Sequence, residues 1–408
     1  MIDSWPTFHD LAAAYKSCRL HKPASRAQIQ FELHLGKNLS LLLDEVVSGM
    51  YRPSPSKCFV VTYPKPREIF AAEFRDRIVH HMIVSQLEPT WERKFIYSTF
   101  ACRLRKGSHG AIKYAQHKVR ELSQGGIKPV WALQLDVEKF FVTIHRAILS
   151  ELLLKHCGHP RLRELIRVIY GHDARIGAKR GGDPSYFKLI PSGKSWFDQR
   201  PEQGIPIGNL SSQLGANIYL TDLDHFIQRE LKPKAYLRYM DDFLLFDHDP
   251  EKLRTMSTPI DQWLITYRAQ RLNPTKTRLV NLSEGISYLG YCLRQVGSAS
   301  QPLQVFSEPI KRWKWIKSLR QLETMPFTEA KKNHFLAPFS SDRTTARKLA
   351  SINSKIGSLH HCNSYLLRKH SLDKFIRNTT TPCGIPSEFA DPWCPFKIKR
   401  GYRAIRFR

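Results

Sequence analysis

The chain of 408 residues is short of acid: 36 Asp and Glu stand against 64 Lys and Arg, a formal charge of +28. A compact protein with that imbalance repels itself unless a polyanion offsets it, and nucleic acid is the commonest such partner. Long apolar runs are missing as well. None approaches the ~20 residues that a membrane span needs. A mean hydropathy of −0.39 with 42% hydrophobic residues argues against both a membrane-embedded and a disordered chain. The eight cysteines lie at 18, 58, 102, 157, 292, 362, 383 and 394 with no framework spacing, so they read as reduced thiols. Met1-Ile2-Asp3-Ser4-Trp5-Pro6 carries neither the basic segment nor the apolar core of a signal peptide. The expectation is a cytoplasmic protein that makes no membrane contact.

Internal repeats and low-complexity linkers are also absent, and the length corresponds to roughly two or three domains. Helical apolar spacing is predicted over 7–20, 27–48, 74–89, 145–156, 161–170, 211–231 and 251–270. Strands are predicted over 57–63, 68–70, 130–136, 235–239, 243–246 and 286–291, with Pro64-Lys65-Pro66-Arg67 turning the first back on the second. Residues 172–203 are polar and carry Gly-Gly, three prolines and alternating basic residues, which reads as an exposed loop or insertion. Basic amphipathic segments follow at 310–323 and 344–370. Half of the net charge falls in residues 301–408, where 21 Lys and Arg meet 7 Asp and Glu. Trp313, Trp315, Phe396, Tyr402 and Phe407 interleave with that charge, a pattern suited to gripping a duplex or structured RNA. A solvated helical face is the alternative. His360, His361, Cys362, His370, Cys383 and Cys394 share this region, but their spacings match no zinc pattern.

The chemistry concentrates at Tyr239-Met240-Asp241-Asp242, between the two β-like runs, and at Leu133-Gln134-Leu135-Asp136, which ends a buried strand about a hundred residues earlier. An Asp-Asp pair by itself is a common polar turn. Adjacent carboxylates at a hairpin tip nevertheless repel unless a cation neutralises them. A third carboxylate on a neighbouring strand makes an oxygen-rich site suited to Mg²⁺, which prefers octahedral oxygen ligands and shares its shell with phosphates.

In order along about residues 50–292, the chain resembles a reverse transcriptase, an RNA-directed DNA polymerase. Pro64-Lys65-Pro66-Arg67 with Phe74-Arg75-Asp76-Arg77 looks like the fingers hairpin, and Phe100-Ala101-Cys102-Arg103 with Lys106-Gly107-Ser108-His109 like the next block. Leu135-Asp136 through Phe140-Phe141 is similar to the first palm motif, and Gly204-Ile205-Pro206-Ile207-Gly208-Asn209-Leu210-Ser211-Ser212-Gln213 to the second. Tyr239-Met240-Asp241-Asp242 is similar to the third, Lys276 to the fourth, and Tyr288-Leu289-Gly290-Tyr291 to the fifth.

That resemblance implies a right-hand polymerase of the α+β class with an antiparallel palm sheet. Fingers would occupy residues 1–125, a palm 126–292 with the insertion about 172–203, and a basic helical thumb and tail 293–408. It implies Asp136, Asp241 and Asp242 as the carboxylates for two Mg²⁺ ions, with Mn²⁺ as a substitute. Lys276 would protonate the leaving pyrophosphate, or be a surface lysine. Lys65 and Arg67 would meet the incoming dNTP triphosphate, or form a solvated basic turn. Phe141 would discriminate against a 2′-hydroxyl, although Phe140 beside it is the alternative because a strand alternates faces. Gln213 would touch nucleotide or template. Gly204, Gly208, Tyr239, Tyr288 and Gly290 would lie along template and primer, and Arg238, which precedes the hairpin, reads as structural.

Within the family, Ile207–Gln213, with Gln where most relatives have Pro, is similar to the bacterial diversity-generating retroelement lineage. Such enzymes copy a template RNA into cDNA with a small basic accessory protein. The alternatives are a defence-type bacterial reverse transcriptase using a non-coding RNA against phage and an intron-encoded enzyme. A polymerase-like RNA-binding protein without activity, or an RNA-dependent RNA polymerase, would be further departures. The sequence leaves the oligomeric state open.

Overall fold

The computed structural model describes residues 5–20, 25–63, 65–297 and 302–307, with the backbone at 396–397 and 406–407. The basic segments at 310–323 and 344–370, the His/Cys cluster and most of the expected thumb lie outside the described residues. The chain divides into one unit of Met1–Ala111 with Ala132–Leu279 and a second of Ile112–Trp131 with Val280–Arg408.

The first unit opens with α1 (Phe8–Arg19), α2 (Arg26–Glu32) and α3 (Leu35–Ser48). A capping box starts α1: Thr7 Oγ1 accepts from the Asp10 amide, and Asp10 Oδ2 accepts from the Thr7 amide. Leu11, Ala14 and Cys18 recur at helical spacing and are the positions it buries. The single helix expected over 27–48 is broken, because α2 ends at Glu32 and α3 restarts at Leu35. Gly49, at φ +78°, terminates α3 in the left-handed conformation that glycine adopts without steric cost.

Strands β1 (Lys57–Val61) and β2 (Arg67–Ala71) form the expected antiparallel hairpin, with Val61 opposite Arg67. The long helix α4 (Phe74–Glu92) follows and is buried on several faces, through Phe74, Ile78, Val79, Met82, Ile83 and Trp91. Its apolar positions are spread over more than one face, and α4 packs against α1 and the helix that carries the second motif. The sequence reading missed α5 (Ser108–Leu122), which straddles the two units.

The sheet that carries the chemistry combines β3 (Trp131–Asp136) with later strands. Between them come α6 (Phe140–Thr143), α7 (Arg146–Leu154), α8 (Pro160–Gly171), the two-residue β4 (Lys179–Arg180), α9 (Leu210–Tyr219) and α10 (Thr221–Phe226). The helix expected over 211–231 is split: α9 stops at Tyr219, and a π-helical turn, Ile227–Leu231, follows α10. Strands β5 (Ala235–Tyr239) and β6 (Asp242–Asp247) pair antiparallel, Tyr239 opposite Asp242, so only Met240 and Asp241 form the turn. Helix α11 (Pro250–Arg268) leads to β7 (Arg278–Asn281), and the strand order is β5-β6-β3-β7. Phe243, Leu244, Leu245 and Phe246 are all 0% exposed, so β6 is buried on both faces and its apolar run does not alternate.

Segment 172–203 is largely exposed, as expected, but it is anchored to the β1–β2 hairpin. Its β4 adds to β1 in parallel, Lys57 opposite Lys179, and Trp196 is buried against Phe70 with ring centroids 4.7 Å apart. Buried Trp196, with partly buried Phe187 and Phe197, supplies the apolar contacts of that anchor.

In the second unit, β8 (Ile286–Tyr288), β9 (Tyr291–Gln295) and β10 (Leu303–Ser307) form an antiparallel meander. The single strand expected over 286–291 is therefore a hairpin. Leu289 and Gly290, both at positive φ, turn the chain between Tyr288 and Tyr291.

Candidate active site

Asp136 ends β3 and is buried, and the chain beyond it is tied to the β5–β6 turn. The Val137 amide donates to the Asp241 carbonyl at 3.3 Å, which fixes the two carboxylate-bearing segments side by side. Asp241 occupies the turn and Asp242 begins β6, and both are half-buried. Burial, then the charge of Asp136, pushes the Asp241 carboxyl up to about 6, against the opposing pull of Lys276 and Arg67. Asp242 is raised too, by burial first and then by the charges of Asp241 and Asp136, with which it shares a hydrogen bond. Three carboxylates thus crowd one place with less positive charge than they need.

The nearest cation on the chain is Lys276, whose Nζ lies 2.6 Å from Asp136 Oδ2. Its side chain is 49% exposed while that of Asp136 is 5% exposed, so the ammonium reaches in from solvent to a nearly enclosed carboxylate. Asn273, which the sequence reading missed, donates from its backbone to the Asp136 carbonyl at 2.7 Å and from Nδ2 to Oδ1 at 3.3 Å. An Asn-Pro turn just before Lys276 was the available signal.

Lys65 and Arg67 sit at the exposed turn of the β1–β2 hairpin. Arg67 is close enough to Asp241 to act on its charge. Phe140 is 2% exposed and belongs to the core, whereas Phe141 is half-buried. The Phe141 carbonyl accepts from the Ile205 amide at 3.0 Å and the Ile144 carbonyl from Gly204 at 2.8 Å, which pins the second motif beside the first.

Glycine at 204 and 208 has an internal reason. Gly204 is at φ +92°, and a Cβ there would come within 1.8 Å of Trp196 Nε1. Gly208 is at φ +112°, with Ile69 of β2 3.2 Å from where its Cβ would be. Gln213 is half-buried on the first turn of α9, and half-buried Tyr239 precedes the carboxylate turn. Tyr288, 2% exposed, and Gly290 lie in the second unit, in the β8–β9 hairpin.

The donor set fits a hard divalent cation. Its oxygens are carboxylates, and at Asp241 and Asp242 burial, followed by the neighbouring negative charges, raises the proton affinity, a state that a bound cation would relieve. Among the described residues no group of three or more His, Cys, Asp or Glu side chains closes round an ion. Mg²⁺ characteristically takes one or two carboxylates and completes its shell with water and substrate phosphates.

An α+β fold whose antiparallel sheet presents paired carboxylates at a tight turn, beside a third on the adjacent strand, is the palm of a nucleic-acid polymerase. Residues 63–293 match the family model described as reverse transcriptase (RNA-dependent DNA polymerase), and with more than half of its length matched the chain belongs to that family. It is an RNA-directed DNA polymerase. Protein YkfC of Escherichia coli (strain K12) is 23% identical over 314 residues, covering 68% of this chain and 76% of YkfC. Group II intron-encoded protein LtrA of Lactococcus lactis subsp. cremoris is 22% identical over 222 residues, 52% of this chain but 33% of LtrA. Among solved structures, apo telomerase from Candida tropicalis, truncated from the C-terminal domain, aligns with a TM-score of 0.43 at 12% identity, covering 65% of this chain and 59% of that one. No helix among the described residues is long and apolar enough to cross a membrane.

Proposed function

We propose that this polymerase copies a dedicated template RNA into cDNA for a diversity-generating retroelement, with Asp136, Asp241 and Asp242 as its reaction centre. The convergence of those three carboxylates, with Lys276 and Arg67 in electrostatic reach, carries the assignment of the site. The carboxylates would hold Mg²⁺, or Mn²⁺ in its place. When bound, the divalent ions favour loss of the 3′-hydroxyl proton and neutralise the departing pyrophosphate.

The remaining work falls to the chain's own groups. Arg67 and Lys65 bind the triphosphate from the hairpin above, the guanidinium by its fork of donors and the ammonium as a point charge. Lys276 neutralises Asp136 in the free protein and is placed to give a proton to pyrophosphate. Phe141, the ring of the pair that is not spent in the core, closes the space a 2′-hydroxyl would need. Gln213 contacts the template-side nucleotide, and Gly204, Gly208, Tyr239, Tyr288 and Gly290 border template and primer. In this scheme residues 1–125 are the fingers, 126–292 the palm and 293–408 the thumb and tail. Template RNA, cDNA, dNTPs and a small basic accessory protein are the partners.

The Ile207–Gln213 motif supports the retroelement role. An intron-type role is the second reading, supported by the likeness to LtrA. The test is to purify the protein from its native locus and sequence the RNA and cDNA that accompany it, alongside an Asp241→Ala, Asp242→Ala variant. A defined RNA, with cDNA that disappears in the variant and carries substitutions at template adenines, is the expected result. Faithful cDNA of an intron transcript would support the second reading, and faithful or repetitive cDNA of a non-coding RNA would support phage defence. Equal cDNA in both samples would refute the site assignment, and RNA in both with cDNA in neither would point to a missing partner or primer, or to a protein that only binds RNA.

A further inference from the structure

The turn that presents Asp241 is strained. Met240, a residue with a side chain, sits at φ +60°, a region that costs an L-residue energy and persists only where its surroundings hold it. What holds it is Arg238, two residues earlier and 0% exposed. Arg238 Nη1 donates to the Met240 carbonyl at 2.9 Å.

The rest of the guanidinium is spent on locking itself. Nε and Nη2 form a two-pronged pair with Asp224 at 2.7 and 2.6 Å, and both side chains are 0% exposed. Nη1 also donates to Asn217 Oδ1, and Nη2 to the Asn217 carbonyl, each at 3.3 Å. All five N–H groups of the guanidinium therefore have acceptors. Tyr236 donates its hydroxyl proton to Asp224 Oδ1 at 2.7 Å, and Asn217 Nδ2 donates to the Ala101 carbonyl at 2.7 Å. The backbone of Arg238 is clamped as well: its amide donates to the Ser98 carbonyl and its carbonyl accepts from Phe100, both at 3.0 Å.

From this geometry we infer that Arg238, oriented by Asp224 and Asn217, is a positioning residue for the reaction: it sets the Met240 peptide and thereby the direction of the Asp241 carboxylate. Arg238 touches no reacting atom; it acts through the turn. A buried ion pair of this kind adds little net stability over apolar side chains of similar volume. Its contribution here is to orientation, and small misplacements of a reacting group are costly in rate. The inference rests on reading Asp241 as part of the reaction centre.

The experiment uses the full chain on a primed RNA template and compares wild type, Asp241→Ala, Arg238→Lys, and the double variant Arg238→Met with Asp224→Leu. Melting temperature, template binding, kcat and KM for dNTP are measured for each. The double variant removes both buried charges together but takes a partner from the Met240 carbonyl, Asn217 and the Tyr236 hydroxyl. Its melting temperature is therefore expected to fall yet stay above the assay temperature, while kcat falls at least tenfold and KM stays within about twofold. Arg238→Lys keeps the charge and loses the fork, and the same fall in kcat is expected. Wild-type kcat in the folded double variant would overturn the inference. So would a fall in activity that tracks loss of the melting transition in both variants, since the contact would then serve folding alone. If Asp241→Ala itself retains activity, the site assignment fails, an outcome separate from failure of the Arg238 inference.

Discussion

Asp241 and Asp242 are held where burial and mutual charge disfavour ionisation, so the free protein stores repulsion at the proposed reaction centre. Replacing Asp241 by Asn keeps the shape and removes one charge. Primer extension is expected to fall by at least about 10²-fold, with template binding unchanged. The melting temperature at pH 7 is expected to rise, because like charges have been relieved. Calorimetry with a filter-binding assay checks both, and a lowered melting temperature would contradict the electrostatic account. If Phe141 lies over the nucleotide sugar as proposed, truncation to Ala opens that space. Discrimination against ribonucleotides is expected to relax by at least about tenfold, equivalent to ~1.4 kcal/mol, as read by competition between dNTP and NTP. Phe140→Ala should instead destabilise the core, since that ring is buried.

At the scale of elements, segment 172–203 and the second palm motif form one packing unit through Trp196 and Gly204. Trp196 also donates from Nε1 to the Gln203 carbonyl at 2.7 Å. Trp196→Ala is expected to cost about 3–5 kcal/mol, and Gly204→Ala is expected to be severe because its Cβ would enter the indole. In a double-mutant cycle the two costs should fall well short of additive, because removing the ring removes the clash; urea melts of the four proteins measure this.

Helix α4 carries a second testable feature. His80 lies beside a cavity of about 30 Å³ lined also by Asp76, His172, Tyr170 and Ser211. Its Nδ1 and the Nε2 of His172 are buried without hydrogen-bond partners. Burial, and then the charges of His81, His172 and Arg77, pushes His80 down to about 3. The unfolded chain therefore binds the proton first, so stability is full above pH ~6.5 and declines as pH falls towards 3. The loss contributed by His80 is at most about 1.4 kcal/mol per pH unit. Asp76, raised mainly by burial, works in the opposite sense as it gains its proton. Asp241 and Asp242, whose carboxyls are also raised, gain stability over the same range. The His80 contribution is therefore read as a difference: from pH 7 to pH 5 the urea midpoint of wild type should drop relative to that of His80→Gln, and parallel curves would rule out His80 as a source.

For the whole molecule, the charge of +28 makes nucleic-acid binding a problem of counterion release. The logarithm of the binding constant for template RNA is expected to fall against the logarithm of salt concentration with a slope of about −5 or steeper, as for roughly six or more phosphates. A slope near zero would mean that the basic surface does not contact the backbone.

The class of molecule was legible in one dimension because its chemistry demands particular residues at short spacings. Asp-Asp between apolar strands, a carboxylate closing an earlier strand and a basic turn between Lys57–Val61 and Arg67–Ala71 all survive as local patterns, and the folded chain places them as strand ends and hairpin tips. Other features depend on partners distant in sequence. Trp196 in a polar segment finds Phe70 more than a hundred residues away, so composition alone misread its surroundings. Leu289 and Gly290 turn a run of β-formers into a hairpin through backbone dihedrals that apolar patterning does not encode. Which of Phe140 and Phe141 enters the core, and the five-donor lock on Arg238, were decided only when β3, α9, α10 and the β5–β6 hairpin came together. Burial and hydrogen-bond geometry are properties of that assembly, whereas the identities of the charged groups were present in the sequence from the start.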